Sequence, residues 1–531
     1  MTSTEPRAGV LPPASRPPGG PAYSVPSPPE AAWSTAGGPR RRWIARAVLL
    51  TVLALQAALA LRLENTAHQD EALFLSAGHA QLAHLLHGTE MPTDHGSHLS
   101  GSPVLYPALA ALVDEWFGLT GARLLSLLSM LGATTLLYAL TRRLFNERAA
   151  LAAAALYAVT QSTIVLGNFA TNDAPAVFLL ALTAWIVVRT ARAHPAMVLL
   201  AAPAAALAVV TNHASALYLP TLVLLAALVS WPHRGRAGLV RAALFAPATG
   251  GLLVAGLRWT GLFDGAPATT TARPDGTDTA LDLLAKSAGW GGLLFLTACF
   301  GAVAYARRGR MNESPRARLS GVPGRAWRVS LGLVLCGTAL LAPACQIHLA
   351  AHVALYKHLG FGLLFAAPMA GVGLTRLVGA HVRHPQLACG LWVLTLCLGA
   401  AQSAERFVSW PESDRLAASL RQYVTPGAGR YLASQPHVPV YYLRDITDQA
   451  RWTSLHGIGY RDAGGALHTG ADGHREALDD GWFDLVVLDG RTRMDAIVTE
   501  ALKDSGRYRL LGVVPYRLGG GPGDYRIWVK R

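Results

Sequence analysis

Charge is scarce in this chain. Asp, Glu, Lys and Arg make up 15% of its 531 residues, against 52% that are hydrophobic. Runs that apolar cannot all be buried in one soluble core, so a polytopic membrane protein is expected. Lysine is confined to Lys286, Lys357, Lys503 and Lys530. Cysteine is also rare: Cys299, Cys336, Cys345, Cys389 and Cys397 fall in or beside apolar runs, with no ligand-like spacing. They indicate neither a disulfide framework nor a zinc site. The chain lacks a basic face with interleaved aromatics. The arginines behind its formal net charge of +14 gather instead at the ends of apolar runs, which argues against nucleic acid as a partner. No small-residue cleavage site follows the first apolar run, 43–63, which is therefore read as a retained span.

Before that run, residues 1–39 are rich in Pro, Gly, Ser and Ala and read as a disordered cytoplasmic tail. A crossing of about 30 Å needs roughly 17–22 apolar residues at 1.5 Å each. Such runs recur near 121–141, 149–167, 174–190, 196–211, 214–231, 239–257, 287–306, 327–348, 357–376 and 386–402, about eleven spans with the first. Alternate loops carry the arginines: Arg40, Arg41, Arg42 and Arg46, then Arg142, Arg143 and Arg148, then Arg189 and Arg192, then Arg234, Arg236 and Arg241, then the cluster from Arg307 to Arg328, then Arg376 and Arg383. Those loops are expected in the cytoplasm, leaving the C-terminus outside a cell membrane. Residues 40–402 thus form a transmembrane domain whose first external loop is 64–120. Residues 403–531 form a small extracytoplasmic α/β domain, with strands expected at 438–443, 484–488, 509–514 and 525–530 and a helix at 492–503. No Gly-rich phosphate loop follows a strand there, and no chemistry is assigned to it.

The first external loop opens with NTAHQDEALFLSAGHAQLAHLL at 65–86. Its acids, Asp70 and Glu71, suit the first turn of a helix, where carboxylates complement the dipole by about 0.3–1 kcal/mol. Residues 70–86 read as an amphipathic interfacial helix with Leu75, Leu82 and Leu86 near one face. Asp173, in GNFATND, lies on the same side in this register, whereas Asp264, Asp275, Asp278 and Asp282 are scattered among Thr, Pro and Gly. Acids belong at the water boundary in any case, since a mid-bilayer carboxylate costs roughly 2.5–3.5 kcal/mol. Histidines crowd the same loop: His84/His87 and His95/His98 are spaced i, i+3, and His348/His352 i, i+4. A divalent metal on His84, His87, His348 and His352 and the polar face of an interfacial helix both fit that spacing.

DEALF after the first span, followed by SPVLYPALAALVDEWFGLTGARLLSLLSMLGATTLLYALTRRLF, resembles the polyprenyl-phosphate-sugar-dependent glycosyltransferases of the GT-C fold. The similarity is to the protein O-mannosyltransferase and aminoarabinose (lipid A) transferase branch, families 39 and 83, over roughly 43–380. The family's second acidic position matches Asp173, and YKHLGFGLLFAAP, with Lys357 and His358, fits its later external basic residue. The chain departs from the family at Ser102-Pro103, where a Pro-Pro pair is usual, and at Asn212-His213, where many relatives carry Lys. The resemblance implies a GT-C-like α-helical membrane domain, a polyprenyl-phosphate-linked sugar as donor, and a protein or cell-envelope glycan as acceptor.

Such a transfer needs a base for the acceptor hydroxyl, cations for the leaving phosphate, and a pocket at the membrane surface. Asp70 is the base candidate, with Glu71 or Asp173 expected to raise its proton affinity. Adjacent helical residues point about 100° apart, so Asp70 and Glu71 cannot face one substrate atom. Lys357, His358 and Arg123 are the phosphate-binding candidates; interfacial anchoring is the other reading of Lys357 and Arg123. A base mechanism with no attacking carboxylate would invert the anomeric centre. A transporter or flippase for a lipid-linked molecule is the rival function, but it calls for midplane ionisable residues and internal repeats. A scaffold whose outer domain binds a partner leaves the one-sided acids unexplained. The alanine- and proline-rich, lysine-poor composition is that of a high-GC bacterial chain, which favours a protein or envelope glycan over lipid A as acceptor.

Overall fold

The computed structural model describes residues 39–89, 99, 105–260, 278–308, 324–352, 354–379, 384–455 and 457–531. The tail expected over 1–39 falls outside these except for Pro39, as do Asp264, Asp275, Arg310, Arg316 and Arg318 of the 307–328 arginine cluster, Arg383, His95, His98 and Ser102-Pro103.

Every apolar run named above is helical. The helices are α1 (Pro39–Ala60), α2 (Gln69–His87), α3 (Tyr106–Leu144), α4 (Glu147–Ala158), α5 (Gln161–Leu166) and α6 (Asp173–Arg189). They continue with α7 (Ala202–Thr211), α8 (Leu219–Arg234), α9 (Gly238–Thr260), α10 (Ala280–Arg308), α11 (Arg325–Thr338) and α12 (Leu341–His348). α13 (Leu355–Val378) and α14 (Pro385–Phe407) close the bundle. Among the described residues six helices are long and apolar enough to cross a membrane, or seven if α11 and α12, bent by 43°, count as one. The protein is thus multi-pass. The expected count of eleven exceeds this because several runs are interrupted. Residues 149–167 break between α4 and α5, α6 has 17 residues, and 3₁₀ turns replace the first part of the run before α7. Gly235, at φ 55°, folds another long run into α8 and α9, which pack together.

α13 is the axis. Nearly every residue from Leu355 to Leu374 is buried, and α13 packs against α10, α4, α11, α5 and α14. Apolar all round, it is the helix a membrane bundle places at its centre. Glycines let its neighbours approach: a Cβ on Gly301 of α10 would stand 1.9 Å from the Met369 carbonyl, and one on Gly371 of α13 2.1 Å from that of Ala149. This is the small-residue packing that membrane helices rely on. Outward-facing Leu128, Leu296 and Leu333 are instead two-thirds exposed, as lipid-facing residues are.

α3 is too long for one crossing, and Gly118 (φ 65°, ψ −171°) breaks it. The stretch before the break exposes Leu109, Leu112, Trp116 and Phe117, the pattern of a helix lying along an interface. α2 packs on α3 where Gly78 meets Pro107. Leu75 is fully buried while Leu86 is 72% exposed, so the apolar stripe expected of Leu75, Leu82 and Leu86 divides between core and surface.

The C-terminal region holds α15 (Asp414–Leu420), β1 (Tyr431–Ala433), α16 (His437–Tyr442), β2 (Trp452–Ser454), β3 (Gly459–Arg461), β4 (Leu467–Thr469) and α17 (Gly470–Asp479), then β5 (Leu485–Leu488), α18 (Arg493–Asp504), β6 (Tyr508–Leu518) and β7 (Gly521–Lys530). Five strands form one sheet in the order β2-β1-β5-β7-β6; β2, β1 and β5 are parallel, and β7 is antiparallel to both neighbours. Three expected strands and the helix after Thr492 are present. Residues 438–443 are not a strand. Their β-branched and aromatic residues favour one, but Pro436 and Pro439 suit the start of a helix, and Val438 and Tyr441 pack into a cluster with Ala67, Phe74 and Tyr106.

Candidate active site

The N-terminal ends of α2, α6 and α13 meet at one end of the bundle, which brings Asp70, Asp173 and Lys357 together. Lys357 Nζ donates to Asp70 Oδ2 at 2.5 Å and lies 3.5 Å from Asp173 Oδ2. The Asp70 side chain is 40% exposed, whereas those of Lys357 and Asp173 are 8% and 6% exposed, so Asp70 is the acid that faces outward. Asp173 is anchored by Thr171 Oγ1 at 2.8 Å and by Asn212 Nδ2 at 2.8 Å. Asn212, noted above only as a departure from the family, orients this acid.

Glu71 belongs to a different structure. Fully buried, it accepts both arms of Arg123, Nε to Oε1 at 2.9 Å and Nη2 to Oε2 at 2.7 Å, and the backbone N–H groups of His68 and Ala170, each at 2.9 Å. Arg123 also donates from Nη1 to the Asn65 carbonyl and from Nη2 to the Thr66 carbonyl. The fork geometry of a guanidinium suits this bidentate lock. Arg123, expected to bind phosphate, is therefore committed to Glu71. Burial alone would raise the Glu71 carboxyl, but Arg123 and the backbone donors hold it below the usual range. The pair joins α2 to α3 and to the 168–172 loop, which Asn168 ties to the Ala60 carbonyl at 2.7 Å.

His68 caps α2 in a reciprocal box: its Nδ1 accepts from the Asp70 N–H, while Glu71 accepts from the His68 N–H. Its ring packs against Phe169 and Trp410. Burial, with Lys357 and Arg406 nearby, lowers its pKa to about 4 although Asp70 and Glu71 oppose this. At neutral pH the ring is uncharged.

The expectation that a second acid would make Asp70 more basic is reversed. Burial pushes its carboxyl up, but the Lys357 ammonium, His68 and Arg406 more than offset this and hold it far below the usual carboxylate range. The reason is geometric: Lys357 stands between Asp70 and Asp173. A divalent ion on those acids would have to displace an ammonium already in contact with both. The proposed histidine ligands do not converge either. His84 contacts the Thr89 carbonyl, His87 and His348 lie exposed, and His352 pairs with Asp278 at 2.5 Å. Among the described residues no three metal-ligating groups gather. His358 is half-buried; its ring nitrogen lies 3.3 Å from Gln346 Nε2, and its carbonyl accepts from Tyr218.

The C-terminal region closes on this site. Tyr442 accepts from the Ala67 N–H at 2.9 Å, Trp410 donates to the Thr66 carbonyl at 2.9 Å, and Tyr441 donates to Asp114 at 2.6 Å, which also contacts His79. Sequence reasoning missed Tyr441, Tyr442 and Trp410. Tyr441 and Tyr442 fall in a stretch expected as a strand, and Trp410 in a part of the outer domain with no expected element, so neither gave a sign of the contact; the aromatic density of 438–443 was the available cue.

Residues 102–256 match the family of dolichyl-phosphate-mannose-protein mannosyltransferases. The oligosaccharyltransferase of Archaeoglobus fulgidus in its apo form is similar in structure, with 14% identity and a TM-score of 0.51 over 90% of this chain and 74% of that one. ArnT of Cupriavidus metallidurans bound to undecaprenyl phosphate aligns at 16% identity and a TM-score of 0.48, over 91% of this chain and 98% of that one. No curated protein matches. The chain is thus a multi-pass membrane protein with the GT-C glycosyltransferase fold, carrying a stretch that matches the mannosyltransferase family between α2 and the end of α9.

Proposed function

We propose that this protein transfers a sugar from a polyprenyl-phosphate donor to a hydroxyl of a protein or cell-envelope glycan, with Asp70 as base. The observation that carries this reading is the meeting of Asp70, Asp173 and Lys357, of which only Asp70 is substantially exposed. The match to a lipid-phosphate-sugar-dependent family and the GT-C fold support it. The transporter reading would need ionisable groups at mid-bilayer, whereas these three sit at helix starts. The arginine distribution supports an N-terminus in the cytoplasm and a site on the outer face.

In the reaction, Asp70 takes the acceptor O–H proton as the acceptor oxygen bonds to the anomeric carbon. The bond from that carbon to the phosphate oxygen breaks, and the phosphate leaves with the electron pair. Asp70 is a poor base while Lys357 neutralises it. As charge grows on the phosphate, Lys357 is drawn toward it, and Asp70 gains proton affinity when it needs it. Asp173 and Asn212 keep the ammonium in place beforehand. A single displacement inverts the anomeric centre.

The test is a transfer assay with purified protein in lipid, radiolabelled polyprenyl-phosphate-mannose or an arabinose-type donor, and an envelope acceptor fraction. Transfer with inverted configuration is expected. A covalent glycosyl adduct on Asp70, or no transfer from any lipid-phosphate sugar, would overturn the reading.

A further inference from the structure

The candidate site is short of positive charge. Two carboxylates and one ammonium leave it with a net negative charge, His68 is neutral, and Arg123 is consumed by Glu71. A phosphoester entering there would be repelled unless another cation receives it.

Arg406, in the last turn of α14, is such a cation. Its guanidinium stacks 4.0 Å from the Tyr356 ring, and Lys357 Nζ lies 5.7 Å from the same ring. Among the described residues Arg406 forms no ion pair, and its Nε is buried without a hydrogen-bond partner. Tyr356 is 3% exposed, and its hydroxyl is likewise buried and unpartnered. Two orphaned donors on adjoining side chains are costly unless something they bind completes them. Arg406 is also close enough for its charge to act on Asp70 and His68. Around Tyr356 pack Leu63, Val165, Phe169, Phe407 and Trp410, an apolar frame suited to a headgroup joined to a hydrocarbon chain.

We propose that Arg406 and Tyr356 seat the phosphate of the lipid-linked donor, beside Lys357 and in place of Arg123. This rests on the transfer reading above. A guanidinium and a phenol supply donors without a competing acid, so the seat takes an anionic phosphoester and holds the leaving group as its charge grows.

The test compares binding of polyprenyl phosphate, unphosphorylated polyprenol and inorganic phosphate to wild type, Arg406→Gln, Arg406→Lys and Tyr356→Phe in nanodiscs. Wild type is expected to prefer polyprenyl phosphate over polyprenol by about 10- to 100-fold, the range of a charge-assisted contact. Arg406→Gln should erase most of that preference without changing polyprenol binding, and Arg406→Lys should restore part of it. Tyr356→Phe, which keeps the ring, should lower the preference several-fold and serves if Arg406→Gln does not fold. An unchanged preference, or equal losses for both lipids, would overturn the assignment. Competition by inorganic phosphate at equal concentration would assign the seat to free phosphate and overturn the donor role. Failure of wild type to bind polyprenyl phosphate would instead sink the transfer reading itself.

Discussion

Lys357 Nζ stands 2.5 Å from Asp70 Oδ2, and the same ammonium lies 3.5 Å from Asp173. One cation therefore neutralises the exposed acid while being held by the buried one. Lys357→Met leaves the two carboxylates facing each other. We expect it to lower stability by about 1–3 kcal/mol, discounted because Asp70 is partly exposed, and to abolish transfer. The double variant Lys357→Met/Asp70→Asn should recover part of the stability and none of the activity. Melting curves in detergent check this; an additive loss of stability would show that the two residues are not coupled.

Glu71 and Arg123 act as a lock. Removing one partner strands a buried charge, so Glu71→Gln and Arg123→Met should each cost about 3–5 kcal/mol, read as loss of monodisperse protein or a lower melting temperature. Variants that fold normally yet lose donor affinity would return Arg123 to the phosphate-binding role.

His68 links acid pH to stability. Its pKa falls from 6.5 to about 4 on folding. Below 6.5 the unfolded chain takes up a proton that the folded one refuses, so stability falls as pH drops from 6.5 to 4, by about 3 kcal/mol in full. His68→Asn keeps a capping acceptor for α2 and removes the titration. The melting temperature of wild type should drop more between pH 7 and pH 5 than that of the variant. Parallel profiles would contradict the assignment.

Gly78 sets the contact between α2 and α3. A Cβ there would lie 2.0 Å from the Pro107 carbonyl oxygen, whereas one at Gly88 meets nothing within 4 Å and is disfavoured only by φ of +67°. Gly78→Ala should therefore displace α2 and reduce transfer strongly, while Gly88→Ala costs about 1 kcal/mol and leaves activity intact. Matched activity and melting in the two variants would show that the α2–α3 contact does not position Asp70.

The helical positions were legible because lipid demands long apolar runs and leaves arginines at one boundary, and the divergence of Asp70 from Glu71 followed from the 100° step of a helix. What those residues touch was not legible. Arg123 finds Glu71 across 52 positions and Lys357 finds Asp70 across 287, contacts that no local pattern encodes. The fate of 438–443 turned on tertiary packing against α2, which overrode strand propensity. Arg406 carried no signal in the sequence; its stacking on Tyr356, and the lack of an acid partner for it among the described residues, set it apart.

The most direct test of the central claim is sugar transfer by Asp70→Asn. The substitution keeps the size of a half-exposed side chain and leaves Asp173 to hold Lys357, so the protein should purify and melt much as wild type does. We predict that transfer from a polyprenyl-phosphate sugar falls by at least about 100-fold, the scale of a lost general base. Transfer at the wild-type rate in well-folded Asp70→Asn protein would contradict the account.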